Sequence, residues 1–97
     1  MGDCIFCKII QGGIPCKKIY EDQEFLAFHD INPAAPIHFL IIPKKHIVSL
    51  ADVTDEDTAM LGRLMALIPK LAKENGCTDG FRTIINTGKN GGKAVAH

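Results

Sequence analysis

Residues 36–43 read PIHFLIIP, a short run of apolar and β-branched side chains between two prolines. The segment 38–42 is too short for a free-standing helix, and its composition is typical of a strand buried in a sheet. Pro33 and Pro36 predict an irregular loop before it, because the residue that precedes a proline is kept out of the helical conformation. We therefore predict a central strand at residues 38–42.

Upstream of this strand, the sequence predicts a β-hairpin. Residues 17–21 and 25–30 are extended runs, and the polar turn of residues 21–24 separates them. Alternation along the second run assigns its side chains to two faces of the sheet. One face carries Leu26, Phe28 and Asp30, and the other carries Phe25, Ala27 and His29.

Downstream, residues 54–76 carry the signals of a long helix. Thr54 can cap the first turn together with Asp57, and Asn75-Gly76 supplies a stop in the left-handed region. We expect Pro69 to kink this helix. The side chains predicted to form its apolar stripe are Leu61, Leu64, Met65, Ile68, Leu71 and Ala72.

The ends of the chain complete the predicted architecture. Residues 3–11 form a short helix that Gly12-Gly13 ends, residues 81–86 read as another strand, and residues 93–97 begin like a last strand. Hairpins with helices segregated around them predict an α+β fold, since one long helix cannot cover both faces of a sheet.

Composition limits the classes of protein to consider. The chain has 97 residues, 11 basic and 11 acidic side chains, no net charge, and 46% hydrophobic residues. This length predicts a single domain over residues 1–97, and this composition excludes disorder. The lack of a basic field argues against nucleic-acid binding, and the lack of a long apolar run or export signal argues against a membrane protein. We expect a cytoplasmic location.

Four cysteines in a chain without an export signal favour metal binding or packing over a disulfide framework. Cys4 and Cys7 lie three residues apart, so on a short helix both sulfurs face one side. Together with His46 and His97 they form a Cys2His2 set suited to structural zinc. A thiol redox pair is the alternative for Cys4 and Cys7. We expect Cys16 and Cys77 to be small core residues.

The remaining candidates are two histidines and a glycine-rich loop. His29 and His38 lie at strand ends beside proline loops, which is consistent either with a structural role or with the rim of a pocket. The loop of residues 87–92 matches neither a Walker loop nor a dinucleotide fingerprint. It could form an anion nest after the strand ending at Asn86, or serve only as a turn.

Four segments together resemble the histidine triad nucleotide-binding family, in its zinc-containing bacterial Hint branch. They are CIFCKII at 4–10, FHDINP at 28–33, APIHFLIIPKKHI at 35–47 and NTGKNGG at 86–92. The resemblance is collinear from Asp3 to His97. It implies a five-stranded antiparallel sheet with one short and one long helix, of which the last strand is incomplete here, and a two-fold homodimer.

The resemblance also implies a function. Family members bind purine mononucleotides such as AMP or GMP and hydrolyse nucleoside phosphoramidates, or related nucleotidyl conjugates, at the α-phosphorus. The positions implied to bind nucleotide are Ile5, Phe6, Ile9, Phe28, His29, Asp30, Ile31, His38, Asn86 and Gly92. Asp30 would hold the ribose, and Asn86 and Gly92 would face the phosphate. The implied zinc ligands are Cys4, Cys7, His46 and His97, the set already suggested by chemistry.

His97 corresponds to the first histidine of the family's defining His-φ-His-φ-His motif, where φ is apolar, and the given sequence ends there. The family's nucleophile is the middle histidine, two positions later. We therefore expect either that residues 1–97 are a piece of a complete enzyme, with the C-terminal end of the domain missing, or that this product is non-catalytic. The second alternative is a zinc-stabilised module that binds nucleotide or a protein partner.

Overall fold

The computed structural model describes residues 4–30, 36–88 and 90. Within these residues a three-stranded antiparallel sheet lies between a short and a long helix. The elements are α1 (Ile5–Ile10), β1 (Lys18–Glu21), β2 (Phe25–His29), β3 (Phe39–Pro43), two 3-10 helices (Leu50–Asp52 and Asp55–Asp57) and α2 (Thr58–Glu74). Expectations for Ile31, Gly92, His97 and the last strand fall outside the described residues. No helix in the described ranges is long and apolar enough to cross a membrane.

The sheet has the order β1-β2-β3, so the predicted hairpin and central strand are confirmed. Asp22 closes the hairpin turn, because its Oδ1 accepts hydrogen bonds from the backbone N–H groups of Glu24 and Phe25 at 2.7 and 2.8 Å. β2 and β3 pair continuously, from Phe25 opposite Pro43 to His29 opposite Phe39. This register brings the end of β2 beside the beginning of β3.

Each face of the sheet is covered by a different helix. Phe25 and Ala27 pack with Leu67 and Leu71 of α2. On the opposite face, the cluster of Leu26, Phe28 and Ile42 is covered by side chains that include Phe6, Ile9 and Ile10 of α1. The predicted division of β2 into two faces is therefore confirmed, and the fold class is α+β.

α2 ends where the sequence predicts, but it begins at Thr58, because the first turn after the Thr54 cap is the 3-10 helix Asp55–Asp57. Thr54 and Asp57 form a reciprocal capping box ahead of the helix, and Gly76 adopts the left-handed conformation (φ +93°) just after it. Pro69 lies inside α2, which continues through it to Glu74. The predicted stripe is wrong at one edge: Met65 is 55% exposed, whereas Leu67, which the prediction omitted, is buried. Leu67 packs on the sheet because it lies one turn before Leu71.

The predicted strand at residues 81–86 is not part of the described sheet. This segment follows α2 without regular secondary structure, and Phe81, Ile84 and Ile85 are each more than half exposed. A strand forms only when a neighbour completes its backbone hydrogen bonds, and no described strand pairs with residues 81–86. The run expected to begin the last strand, residues 93–97, is outside the described residues.

Glu21 at the end of β1 joins the hairpin to the segment after β3. Its carboxylate accepts hydrogen bonds from Lys18 and, at 2.7 Å, from Lys44. The hydrogen bond from Lys18, followed by that from Lys44, lowers the pKa of Glu21 from 4.5 to about 2. Since the folded state favours the ionised carboxylate, Glu21 stabilises the fold above its ordinary pKa, and this contribution is lost as the pH falls through about 2.

We expect Glu21→Gln to make the free energy of unfolding depend less on pH in the acidic range. The wild-type free energy of unfolding should fall more steeply than that of the variant between about pH 5 and pH 2, because only the wild type must protonate this carboxylate. Urea titrations at a series of pH values measure the difference. Parallel profiles over that range would contradict the assigned role of Glu21.

Candidate functional site

Three of the four predicted metal ligands lie together. Cys4 caps α1, and its Sγ accepts a hydrogen bond from the backbone N–H of Cys7 at 3.3 Å. His46, in the segment after β3, places its Nδ1 3.1 Å from Cys7 Sγ. The ligand atoms of Cys4, Cys7 and His46 all lie within 4.8 Å of one another. The fourth predicted ligand, His97, is outside the described residues.

The donor set of this cluster fits zinc. Two thiols and an imidazole are the ligand types of structural zinc sites, and tetrahedral ligands about 2.3 Å from one ion lie roughly 4 Å apart. Cys4 and Cys7 are 8% and 5% exposed, and burial, together with the hydrogen bond to Cys4, raises the pKa of the Cys7 thiol. Neither cysteine forms a disulfide. The structure therefore supports the predicted structural zinc site.

A second feature is a cleft of about 810 Å³ at the edge of the sheet where β2 ends and β3 begins. Its lining residues are Pro15, Cys16, Lys17, His29, Asp30, Pro36 and His38. The backbone N–H of Asp30 donates to the carbonyl of His38 at 3.1 Å. His38 Nε2 also lies 3.4 Å from Asp30 Oδ2. Three predicted nucleotide-binding residues, His29, Asp30 and His38, thus share one cleft.

Three apolar residues predicted for the same site pack together in one cluster, although they do not line the cleft themselves. The rings of Phe6 and Phe28 have centroids 6.5 Å apart, and Ile9 packs in the same cluster. Phe28 is only 5% exposed. Cys16 packs against this cluster and also lines the cleft, so the two features are contiguous. Two other predicted residues, Ile5 and Asn86, are exposed and do not line the cleft.

Sequence reasoning missed part of the cleft wall. Cys16 was expected in the core, but it is half-buried at the cleft, beside Lys17. The start of β1 reaches the cleft because antiparallel pairing sets it beside the end of β2, where the N–H of His29 donates to the carbonyl of Lys17 at 3.0 Å. The turn alone does not give these neighbours, because the register between β1 and β2 shifts between Lys18 and Tyr20.

The ion pair between Lys45 and Asp57 was also missed. Lys45 Nζ lies 2.6 Å from Asp57 Oδ1. The two residues are 12 positions apart in the sequence, and the sequence pattern assigns Asp57 only to the helix cap. The short hydrogen bond from Lys45 and the backbone N–H of Thr54 lower the pKa of Asp57. This contact links the segment that carries His46 to the start of α2.

Comparison with known proteins places the chain in a family. The family model described as scavenger mRNA decapping enzyme C-term binding matches residues 3–97. Protein HitA of Neisseria gonorrhoeae is 54% identical over 97 residues, which cover 100% of this chain and 91% of the relative.

Solved structures agree with this assignment. A HIT family hydrolase from Legionella pneumophila superposes with a TM-score of 0.94 at 46% identity, covering 98% of this chain and 86% of its own. A Zn-bound histidine triad family protein from Mycobacterium smegmatis superposes with a TM-score of 0.83 at 39% identity, covering 99% and 70%. With the fold, the Cys-Cys-His cluster and the histidine-lined cleft, these similarities show that the chain belongs to the histidine triad (HIT) family.

Proposed function

We propose that this protein binds purine nucleotides such as AMP or GMP. A chain that carries the full histidine motif of the family hydrolyses nucleoside phosphoramidates, or related nucleotidyl conjugates, at the α-phosphorus. The observation that carries the proposal is the meeting of His29, Asp30 and His38 at one cleft. The name of the Legionella relative, a HIT family hydrolase, supports the reaction class.

The chemistry of the cleft suits a mononucleotide. Its volume of about 810 Å³ lies within the range of small-molecule sites, about 300 to 1,000 Å³. The Asp30 carboxylate can accept hydrogen bonds from the two ribose hydroxyls, while the ammonium of Lys17 can pair with a phosphate. The adjoining apolar cluster of Phe6, Ile9 and Phe28 offers the surface against which a purine would pack.

The proposed reaction divides one substitution into two steps. In a chain that carries the full family motif, the middle histidine of the motif attacks the α-phosphorus as the phosphorus–nitrogen bond breaks and the amine leaves with a proton. Water then attacks the nucleotidyl-histidine, which releases the nucleotide and restores the imidazole. We assign His97 as the first histidine of this catalytic motif. Asn86 and Gly92 are proposed to face the phosphate, and Ile5 and Ile31 to border the base.

The zinc ion in this proposal is structural. Cys4, Cys7 and His46 would hold it, with His97 as the fourth ligand, so that protein side chains fill every position of a tetrahedral site. The Zn-bound state of the Mycobacterium relative supports this assignment. Zinc would cross-link α1 to the segment after β3, and α1 would in turn be fixed over the sheet face that borders the cleft.

The proposed assembly is a two-fold homodimer in the cytoplasm. A second chain would cover apolar side chains that are exposed in the described monomer, among them Met65, Phe81, Ile84 and Ile85. Four cysteines without a disulfide suit a reducing compartment. The sedimentation mass of the purified protein reports the dimer directly.

Removal of a ligand thiol should remove the metal. We expect wild-type protein to contain one zinc per chain and Cys7→Ser to contain little, because serine is a poor zinc ligand at neutral pH. The variant should also melt at a lower temperature, and a chelator should lower the melting temperature of the wild type but not that of Cys7→Ser. Metal analysis and thermal melts measure these effects.

Cys77→Ser is the matched control, since Cys77 lies outside the cluster. This variant should retain both the zinc and the chelator response. Full zinc content in Cys7→Ser, or none in the wild type, would contradict the proposed metal centre.

Loss of the Asp30 carboxylate should weaken nucleotide binding. We expect Asp30→Ala to bind AMP at least about tenfold more weakly by calorimetry, because hydrogen bonds to a charged acceptor contribute about 1.5–3 kcal/mol. Asp79→Ala, which changes an exposed aspartate outside the cleft, is the control. No binding of AMP or GMP to folded, zinc-loaded wild type would overturn the nucleotide site.

The same samples test the reaction. Protein whose intact mass includes the full histidine motif should release AMP from adenosine 5′-phosphoramidate, and replacement of the middle histidine should abolish turnover. Nucleotide binding without turnover by protein with the full motif would leave a binding module and reject the enzyme.

A further inference from the structure

Asp57 is the one charged residue that is buried in the described part of the chain, with 4% of its surface exposed. Both carboxylate oxygens have partners: Oδ1 lies 2.6 Å from Lys45 Nζ, and Oδ2 accepts from the backbone N–H of Thr54 at 3.0 Å. A buried carboxylate without a cation is costly, so the folded protein strongly favours Lys45 at this place.

The surroundings of Asp57 separate this contact from an ordinary surface ion pair. Exposed pairs contribute little, because water screens both charges and both side chains lose freedom. Here the Lys45 side chain is 58% exposed, but that of Asp57 is only 5% exposed. The capping box fixes the Asp57 side chain at the start of α2. The position of the Asp57 carboxylate therefore determines where the Lys45 ammonium lies.

Lys45 directly precedes the metal ligand His46. The segment of residues 44–46 leaves β3 without regular secondary structure, and Lys44 anchors its start through its N–H to the carbonyl of Glu24 at 2.7 Å. One residue later, the Lys45 side chain binds the Asp57 carboxylate at the start of α2. His46 then reaches across to α1, where its Nδ1 lies 3.1 Å from Cys7 Sγ.

We infer that Asp57 is a positioning residue of the metal centre: through Lys45 it holds residues 44–46 so that His46 stays beside Cys7. Asp57 does not touch the metal ligands and acts on them through the chain. The inference rests on the proposed zinc site, and it couples that site to the amino-terminal end of α2. Groups that orient a metal ligand from outside typically change metal affinity by 10- to 100-fold.

Two substitutions test the Lys45–Asp57 contact, one at each residue. Asp57→Asn keeps an oxygen that can accept from Thr54 but loses the charge that holds Lys45. Lys45→Met keeps the side-chain stem and removes the ammonium. Each variant should bind zinc roughly tenfold more weakly than the wild type, as measured by competition with a chromophoric chelator at a temperature where all samples are folded. The double variant should be no weaker than the weaker single variant, because both changes break the same contact.

Asp52→Asn is the matched control, since Asp52 lies in the same connection but pairs with Ser49 rather than with residues 44–46. It should bind zinc within about twofold of the wild type. Should Asp57→Asn fail to fold, Lys45→Met carries the test, because it alters a largely exposed side chain. The inference is wrong if Lys45→Met, and Asp57→Asn where it folds, bind zinc within twofold of the wild type. Asp57 would then only cap α2, whatever the melting temperatures of the variants.

An NMR measurement on metal-free protein separates this inference from the zinc proposal. In metal-free wild type and Asp52→Asn, NMR should show a nuclear Overhauser contact between the His46 ring and the Cys7 β protons. The contact should be lost in Asp57→Asn and Lys45→Met. If the wild type binds no zinc, the metal proposal fails, while a contact that persists in both variants overturns the positioning role.

Discussion

The contact between Cys7 and His46 is the constraint on which the placement of α1 depends. α1 has six residues, fewer than the roughly 12–15 at which an isolated helix becomes even marginally stable in water. It is held by apolar packing on one face of the sheet and by the Cys4-Cys7-His46 cluster at its beginning. A metal ion bound there would convert that cluster into a covalent-strength cross-link between α1 and the segment after β3.

That placement covers the apolar cluster that adjoins the cleft. The sheet presents one set of side chains to α2 and the other set to α1, so each helix covers one face of the sheet. α2 covers one face through Leu67 and Leu71. α1 covers the cluster around Phe28, which Cys16 connects to the cleft at the end of the strands. The ion pair from Lys45 to Asp57 joins these two sides of the molecule at the segment that carries His46.

Features that depend on local chemistry could be predicted from the sequence, and those that depend on distant partners could not. The hairpin turn at Asp22, the stop at Gly76 and the two faces of β2 follow from residue type and alternation. Thiol and imidazole chemistry likewise suggested the three ligands that the structure brings together, Cys4, Cys7 and His46. The strand expected at residues 81–86 is missing from the described sheet because a strand needs a paired neighbour, which its own residues do not specify. The Lys45–Asp57 contact likewise depends on a distant partner. The placement of Met65 rather than Leu67 in the apolar stripe is instead a misassigned face of α2, since Leu67 lies one turn before Leu71.

The central claim is that α1 and the segment after β3 meet at one zinc ion bound by two sulfurs and by imidazole nitrogen. X-ray absorption at the zinc edge of the metal-loaded protein tests it most directly, because it reports ligand elements and distances without a crystal. The account predicts two sulfurs at about 2.3 Å and nitrogen at about 2.0–2.1 Å. A shell made only of oxygen and nitrogen would contradict it, since Cys4 and Cys7 would then not be ligands.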